Sequence, residues 1–167
     1  MQKVVLTEKT LYYGKVNMPK GFEIDREKLV SDILKKNFTN KESIFSRDWD
    51  MLNTYIGDHV RLEYSLNLIK KKSFGDIYKP NQLSKPLLDI NPMDLKNSPD
   101  FTMLYGVKVN KCEVDIYYNN NRHKRKIWNM PLENNKFIIF PSTCMYTISN
   151  NQKDNLNFIK TITYENI

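Results

Sequence analysis

Hydrophobic positions follow one rhythm before about residue 73 and another after it. In the first stretch Leu29, Val30, Ile33 and Leu34 recur at helical spacing behind Asp25, a good N-cap, with Glu27 in the first turn and Lys35-Lys36 beyond. A second stripe, Trp49, Leu52, Tyr55, Ile56 and Val60, shares one helical face from Ser46 or Arg47 onward, and Gly57 weakens its centre. Two short runs rich in β-branched and aromatic residues, Val4–Thr7 and Leu11–Val16, predict strands ahead of these helices.

From Ser73 the segments become short and strand-like. Phe74–Tyr78, Phe101–Val109, Cys112–Tyr118, Arg125–Met130, Phe137–Phe140, Met145–Ser149 and Phe158–Tyr164 are the candidates. Turn signals separate them at Pro80-Asn81, Asn119–Asn121 and Glu133–Asn135, because Asn tolerates positive φ. Phe137–Phe140 predicts core. The pattern points to a β-sandwich or barrel behind a helical front.

Length, 167 residues, suits one domain with a real core, and ten Tyr and eight Phe argue against disorder. Alanine is absent, Asn is abundant and Lys far outnumbers Arg, the signature of an AT-rich coding sequence. The same bias accounts for the net charge of +7, although a basic surface also attracts nucleic acid, acidic membranes or acidic proteins. Only Lys70–Lys72 and Arg122–Lys126 concentrate that charge locally. Cys112 and Cys144 show no metal-binding spacing and predict buried thiols. No apolar signal core or membrane-length run is present, so no membrane association is expected and an intracellular location is.

Familiar catalytic signatures are missing. There is no P-loop, GxGxxG or GxSxG motif, and no histidine is placed to activate Ser142. Asp48 and Asp50 flank Trp49 at a helix start, where carboxylates complement the dipole. His59 and His123 each have an arginine two residues on, not a carboxylate, and predict structural or surface roles. The basic segment Arg122, His123, Lys124, Arg125 and Lys126, followed by Trp128, offers cations for phosphates and a ring for base stacking. The same residues also suit a protein or anion contact, or a solvated hairpin with Trp128 turned inward.

Several motifs together carry a resemblance. Pro80-Asn81-Gln82-Leu83-Ser84 is followed by Asn97-Ser98-Pro99-Asp100, then Leu104-Tyr105-Gly106-Val107, and later by Asn134-Asn135-Lys136-Phe137-Ile138-Ile139-Phe140-Pro141-Ser142-Thr143. This order resembles the Fe(II)/2-oxoglutarate-dependent oxygenase-like proteins common in marine phages. The likeness spans residues 45–167 and is strongest over 98–165. It implies a mainly β fold with N-terminal helices (α+β), a double-stranded β-helix or jelly-roll. One domain over 1–167 is expected, with a strand and helical front at 1–72 and a β core at 73–167.

In that family a facial triad of two histidines and one carboxylate holds iron and leaves positions open for 2-oxoglutarate and dioxygen. Laid on the family pattern, the His-x-Asp positions fall on Leu87-Leu88-Asp89, the second histidine on Tyr146, and the 2-oxoglutarate arginine near Asn157, with Lys160 the only cation close by. Asp89 is the one surviving ligand type, so neither metal nor cofactor is expected. The resemblance therefore implies a non-catalytic binding or structural accessory protein, phage-encoded, in the host cytoplasm or the virion, with a protein partner or self-assembly. Two other readings remain open at this point: a dioxygenase with a non-standard Fe(II) site, and a small nucleic-acid binder. A plug between Leu87 and Tyr146 would mark a dead pocket, whereas convergence of Asp89, Tyr146 and Lys160 would mark surviving ligand binding.

Overall fold

The computed structural model describes residues 9–39, 47–121 and 124–167; the strand expected at Val4–Thr7 lies outside them. Strand β1 (Tyr12–Lys15) precedes helices α1 (Arg26–Thr39) and α2 (Arg47–Tyr64). Strands β2 (Leu68–Tyr78), β3 (Phe101–Lys108), β4 (Cys112–Asn121), β5 (Lys124–Leu132), β6 (Lys136–Pro141), β7 (Met145–Asn150) and β8 (Asn157–Asn166) follow. They pair antiparallel in two sheets, one ordered β1-β6-β3-β8-β2 and the other β5-β4-β7. Single bridges from Leu83 to Ser149 and from Leu87 to Tyr146 lay the 83–87 segment beside β7.

Burial explains the hydrophobic pattern. The larger sheet is covered on both faces, by the helices on one side and the smaller sheet on the other. Phe137 and Ile139 of β6 therefore pack toward α1 and α2, while Ile138 and Phe140 enter the space between the sheets. That is why β6 reads as a continuous apolar run. In β4 the residues alternate instead, with Cys112, Val114 and Ile116 buried and Glu113 exposed, because one face of the smaller sheet meets solvent. Asp25 caps α1 as expected, its Oδ1 accepting the Lys28 backbone N–H at 3.1 Å. Helix α1 lies so close to β2 that a Cβ on Gly75 would sit 2.5 Å from Cγ1 of Ile33, so the contact needs glycine.

Two expectations change. The strand expected over Phe74–Tyr78 begins at Leu68, so Lys70–Lys72 belong to it. β2 is an edge strand, and lysines there keep the unpaired edge in water and discourage further pairing. Asn119–Asn121 are not the turn: they pair with Lys126, Arg125 and Lys124 as part of the β4–β5 ladder. Ladder hydrogen bonds overrode the local preference of Asn, which does hold at Asn81 and Asn135, with φ of 54° and 64°. Strand β1, within the expected Leu11–Val16, pairs with β6 at the edge of the larger sheet.

Candidate functional site

Between the sheets, the 83–87 segment, the start of β7, β3 and the turn after β6 meet at one end. The Leu87–Tyr146 bridge is closed by reciprocal backbone bonds, Leu87 N to Tyr146 O at 2.8 Å and Tyr146 N to Leu87 O at 3.0 Å. Because Asp89 lies two residues past this bridge, its carboxylate reaches the Tyr146 ring end. The Tyr146 hydroxyl donates to Asp89 Oδ2 at 3.0 Å, and Thr102 Oγ1 donates to the same oxygen at 2.8 Å. With the Thr102 proton committed to Asp89, Ser142 Oγ supplies the donor in the 2.9 Å contact between the two hydroxyls. Phe140 packs edge-on against Tyr146, ring centroids 5.1 Å apart. Thr102 and Ser142 are fully buried and Tyr146 nearly so.

The electrostatics of this end are acidic. Burial raises the Asp76 carboxyl above its ordinary value and the charge of Asp89 adds to the rise, while Lys36, Lys160 and a Thr161 hydrogen bond oppose it. The Tyr146 phenol is held well above its ordinary value by burial, then by the Asp89 charge and hydrogen bond. It is therefore a fixed proton donor to Asp89 and stays neutral.

These donors do not fit an Fe(II) facial site. Leu87 offers no lone pair, Tyr146 keeps its proton, and the Asp89 oxygen that faces them already accepts two hydrogen bonds. Among the described residues no cluster of three or more His, Cys, Asp or Glu side chains could hold a metal ion. His59 is on the other side of the larger sheet, stacked on Tyr55 and edge-on to Phe137. His123 lies outside the described residues.

Asn157 and Lys160 do not join this cluster. Asn157 is buried farther along β8, where its Oδ1 accepts from Gln152 Nε2 at 2.6 Å and from the Asn110 backbone at 3.0 Å. Lys160 points the other way, toward the helices, its ammonium 4.3 Å from the Trp49 ring centroid. Burial, then the charges of Lys36 and Lys70, push Lys160 down to about 8, against the pull of Asp32 and Asp76. The β8 residue that bonds Asp76 is Thr161, and Thr163 stands opposite Thr102. No β8 cation faces Asp89, and a dicarboxylate there would meet Asp76 and Asp89.

Sequence reasoning missed Asp76, Thr102 and Thr161, and treated Ser142 only as a failed nucleophile. Alternation along β2 offered a signal, since Asp76 shares a face with the core residue Tyr78. Of the basic segment, Arg122 lies outside the described residues, Lys124 opens β5, and Arg125 and Lys126 pair with Asn120 and Asn119. Trp128 does turn inward, half-buried against the inter-sheet core, and its neighbour Ile127 is exposed.

No protein-family model matches the chain, and no curated protein matches it. Solved structures do. A Pseudomonas putida prolyl-4-hydroxylase superposes with a TM-score of 0.66 over 93% of this chain and 87% of its own, at 8% identity. SnoN, a non-heme α-ketoglutarate-dependent epimerase from nogalamycin biosynthesis, gives 0.65 over 93% and 77%, at 9% identity. A Trichoplax adhaerens prolyl hydroxylase, solved with a hypoxia inducible factor oxygen degradation domain peptide, gives 0.58 over 93% and 83%, at 12% identity. The fold is that of the 2-oxoglutarate/Fe(II) oxygenases. At these identities the likeness concerns the jelly-roll alone.

Proposed function

We propose that this chain is a degenerate oxygenase-like jelly-roll that works without iron chemistry, as a binding or structural accessory protein. One observation carries the reading: the Tyr146 hydroxyl closes on Asp89 across the Leu87–Tyr146 bridge, where the family resemblance places the metal ligands. An imidazole-lined site has been replaced by a hydrogen-bonded plug. The carboxylates of Asp76 and Asp89, with the β8 cation Lys160 turned to the Trp49 ring on the other face, disfavour the 2-oxoglutarate dianion as well. The alanine-free, Asn- and Lys-rich composition and the phage-type motifs support a phage origin, with action in the virion or on a host component. A protein partner or self-assembly is the corresponding mode of action.

Anaerobic titration with Fe(II) and 2-oxoglutarate tests this reading directly. The protein is expected to show no visible metal-to-ligand charge-transfer band and to retain no iron after gel filtration. A saturable band would replace the proposal with a dioxygenase using a non-standard ligand set around Asp89.

A further inference from the structure

A cavity opens where the edges of the two sheets part, between β1 and β5. It has a volume of about 280 Å³ and is walled by Tyr13, Tyr118 and Trp128 over a floor that includes Ile116, Phe140 and Cys144. Tyr13 comes from the edge of the larger sheet and Trp128 from the edge of the smaller, with ring centroids 5.9 Å apart and planes at 41°. Tyr13 and Tyr118 are 56% and 40% exposed and Trp128 is half-buried, so an aromatic surface stands open beside an apolar floor. Lys9 is the only charged side chain lining the cavity among the described residues, and none of the described carboxylates is within salt-bridge distance of it.

We propose that this cleft is a binding site for a small planar aromatic ligand carrying an anionic group, its ring held by Tyr13, Tyr118 and Trp128 and its charge by Lys9. The apolar floor excludes a polar or strongly hydrated ligand body. The wall rings favour a flat π-face over a flexible chain, because tilted and edge-on ring contacts add to area burial. A single ammonium at the rim selects a compact anion such as a carboxylate or sulfonate, and its exposed position keeps the cost of desolvation low. Burial keeps the Cys144 thiol on the floor neutral, so it adds no competing negative charge. The site is separate from the Asp89 cluster, with the Phe140 ring forming the partition: it lines this cleft and also packs on Tyr146. It goes beyond the reading above and does not depend on it, since the ligand needs neither iron nor 2-oxoglutarate.

Isothermal titration calorimetry of the full chain, without metal, tests the proposal with three probes: 2-naphthoate, uncharged 2-naphthamide and octanoate. Saturable one-to-one binding of naphthoate is expected, at least about tenfold tighter than either control. Lys9→Gln should remove the preference for naphthoate over naphthamide. Tyr13→Ala, a change at an exposed side chain, should weaken both aromatic probes about tenfold and leave octanoate unaltered. Circular dichroism confirms that both variants fold. Naphthoate binding no tighter than the controls, or unchanged in both variants, overturns the site. The iron titration and this calorimetry can each fail alone.

Discussion

Two buried polar networks occupy opposite ends of the space between the sheets, and they are built differently. At one end Tyr146, Asp89, Thr102 and Ser142 bond side chain to side chain. At the other, amides hold the backbone: Asn157 bonds both the N–H and the carbonyl of Asn110, and Asn150 Nδ2 reaches the carbonyls of Tyr78 and Asn155. From Asn157 to Thr161 the strand advances roughly 13 Å, at about 3.3 Å per residue. The amide end stitches loops and strand ends together. The Asp89 end can change its side chains without opening a backbone ladder, so chemistry can be lost there while the frame persists.

The hardest test of that contrast installs the ligands of the family pattern. The double substitution Leu87→His and Tyr146→His creates His-x-Asp and a second imidazole around Asp89. Fe(II) affinity is expected to rise by ~100-fold or more, measured by anaerobic metal titration, and to vanish when Asp89→Ala is added. A double variant that folds but gains no iron would show that the frame itself has drifted.

At the amide end, Asn157→Ala removes three hydrogen bonds, two to the Asn110 backbone and one from the buried Gln152 amide. Denaturant unfolding should show a loss of roughly 3 kcal/mol. Tyr146→Phe removes one donor to a carboxylate that keeps Thr102, and should cost less, about 1–2 kcal/mol. Equal losses at the two ends would dissolve the distinction between them.

The smallest effect concerns pH. Asp76 has a folded value raised above its ordinary 3.8, so between those two values the native state holds more protons than the unfolded one. Stability contributed by Asp76 is therefore present in acid and declines as pH rises from 3.8 through the folded value. Asp76→Asn removes that decline and should be the more stable protein near neutrality, by urea unfolding across pH. A native stability that instead rises with pH through this window, with the rise abolished in the variant, would contradict the acidic character assigned to this end.

Much of this was legible in the chain. Helical stripes on Leu29–Leu34 and Trp49–Val60, the apolar run Phe137–Phe140 and the turn at Asn135 all read correctly, since each depends on near neighbours. The contact between Asp89 and Tyr146 was suggested by motif resemblance, not by composition or periodicity. Lys160 could not be placed, because β8 is buried at every position from Asn157 to Tyr164 and has no alternation to reveal which residues face which side. Asp76 and Thr102 were hidden for a related reason, as nothing local says that an Asp and a Thr far apart in sequence will both lie close to Asp89.

By itself the sequence determined the two helical stripes, the apolar run Phe137–Phe140, the closing turn at Pro141-Ser142 and the poverty of imidazoles, with His59 and His123 the only two in the chain. These follow from residue type and short-range spacing. The tertiary structure alone decided that the Tyr146 phenol meets Asp89, that Lys160 turns to Trp49, and that Tyr13 and Trp128 flank one cleft. Those outcomes depend on strand register and sheet stacking. A shift of one residue reverses every side chain in a strand, and contacts spanning 57 positions, as from Asp89 to Tyr146, exist only once both sheets have formed.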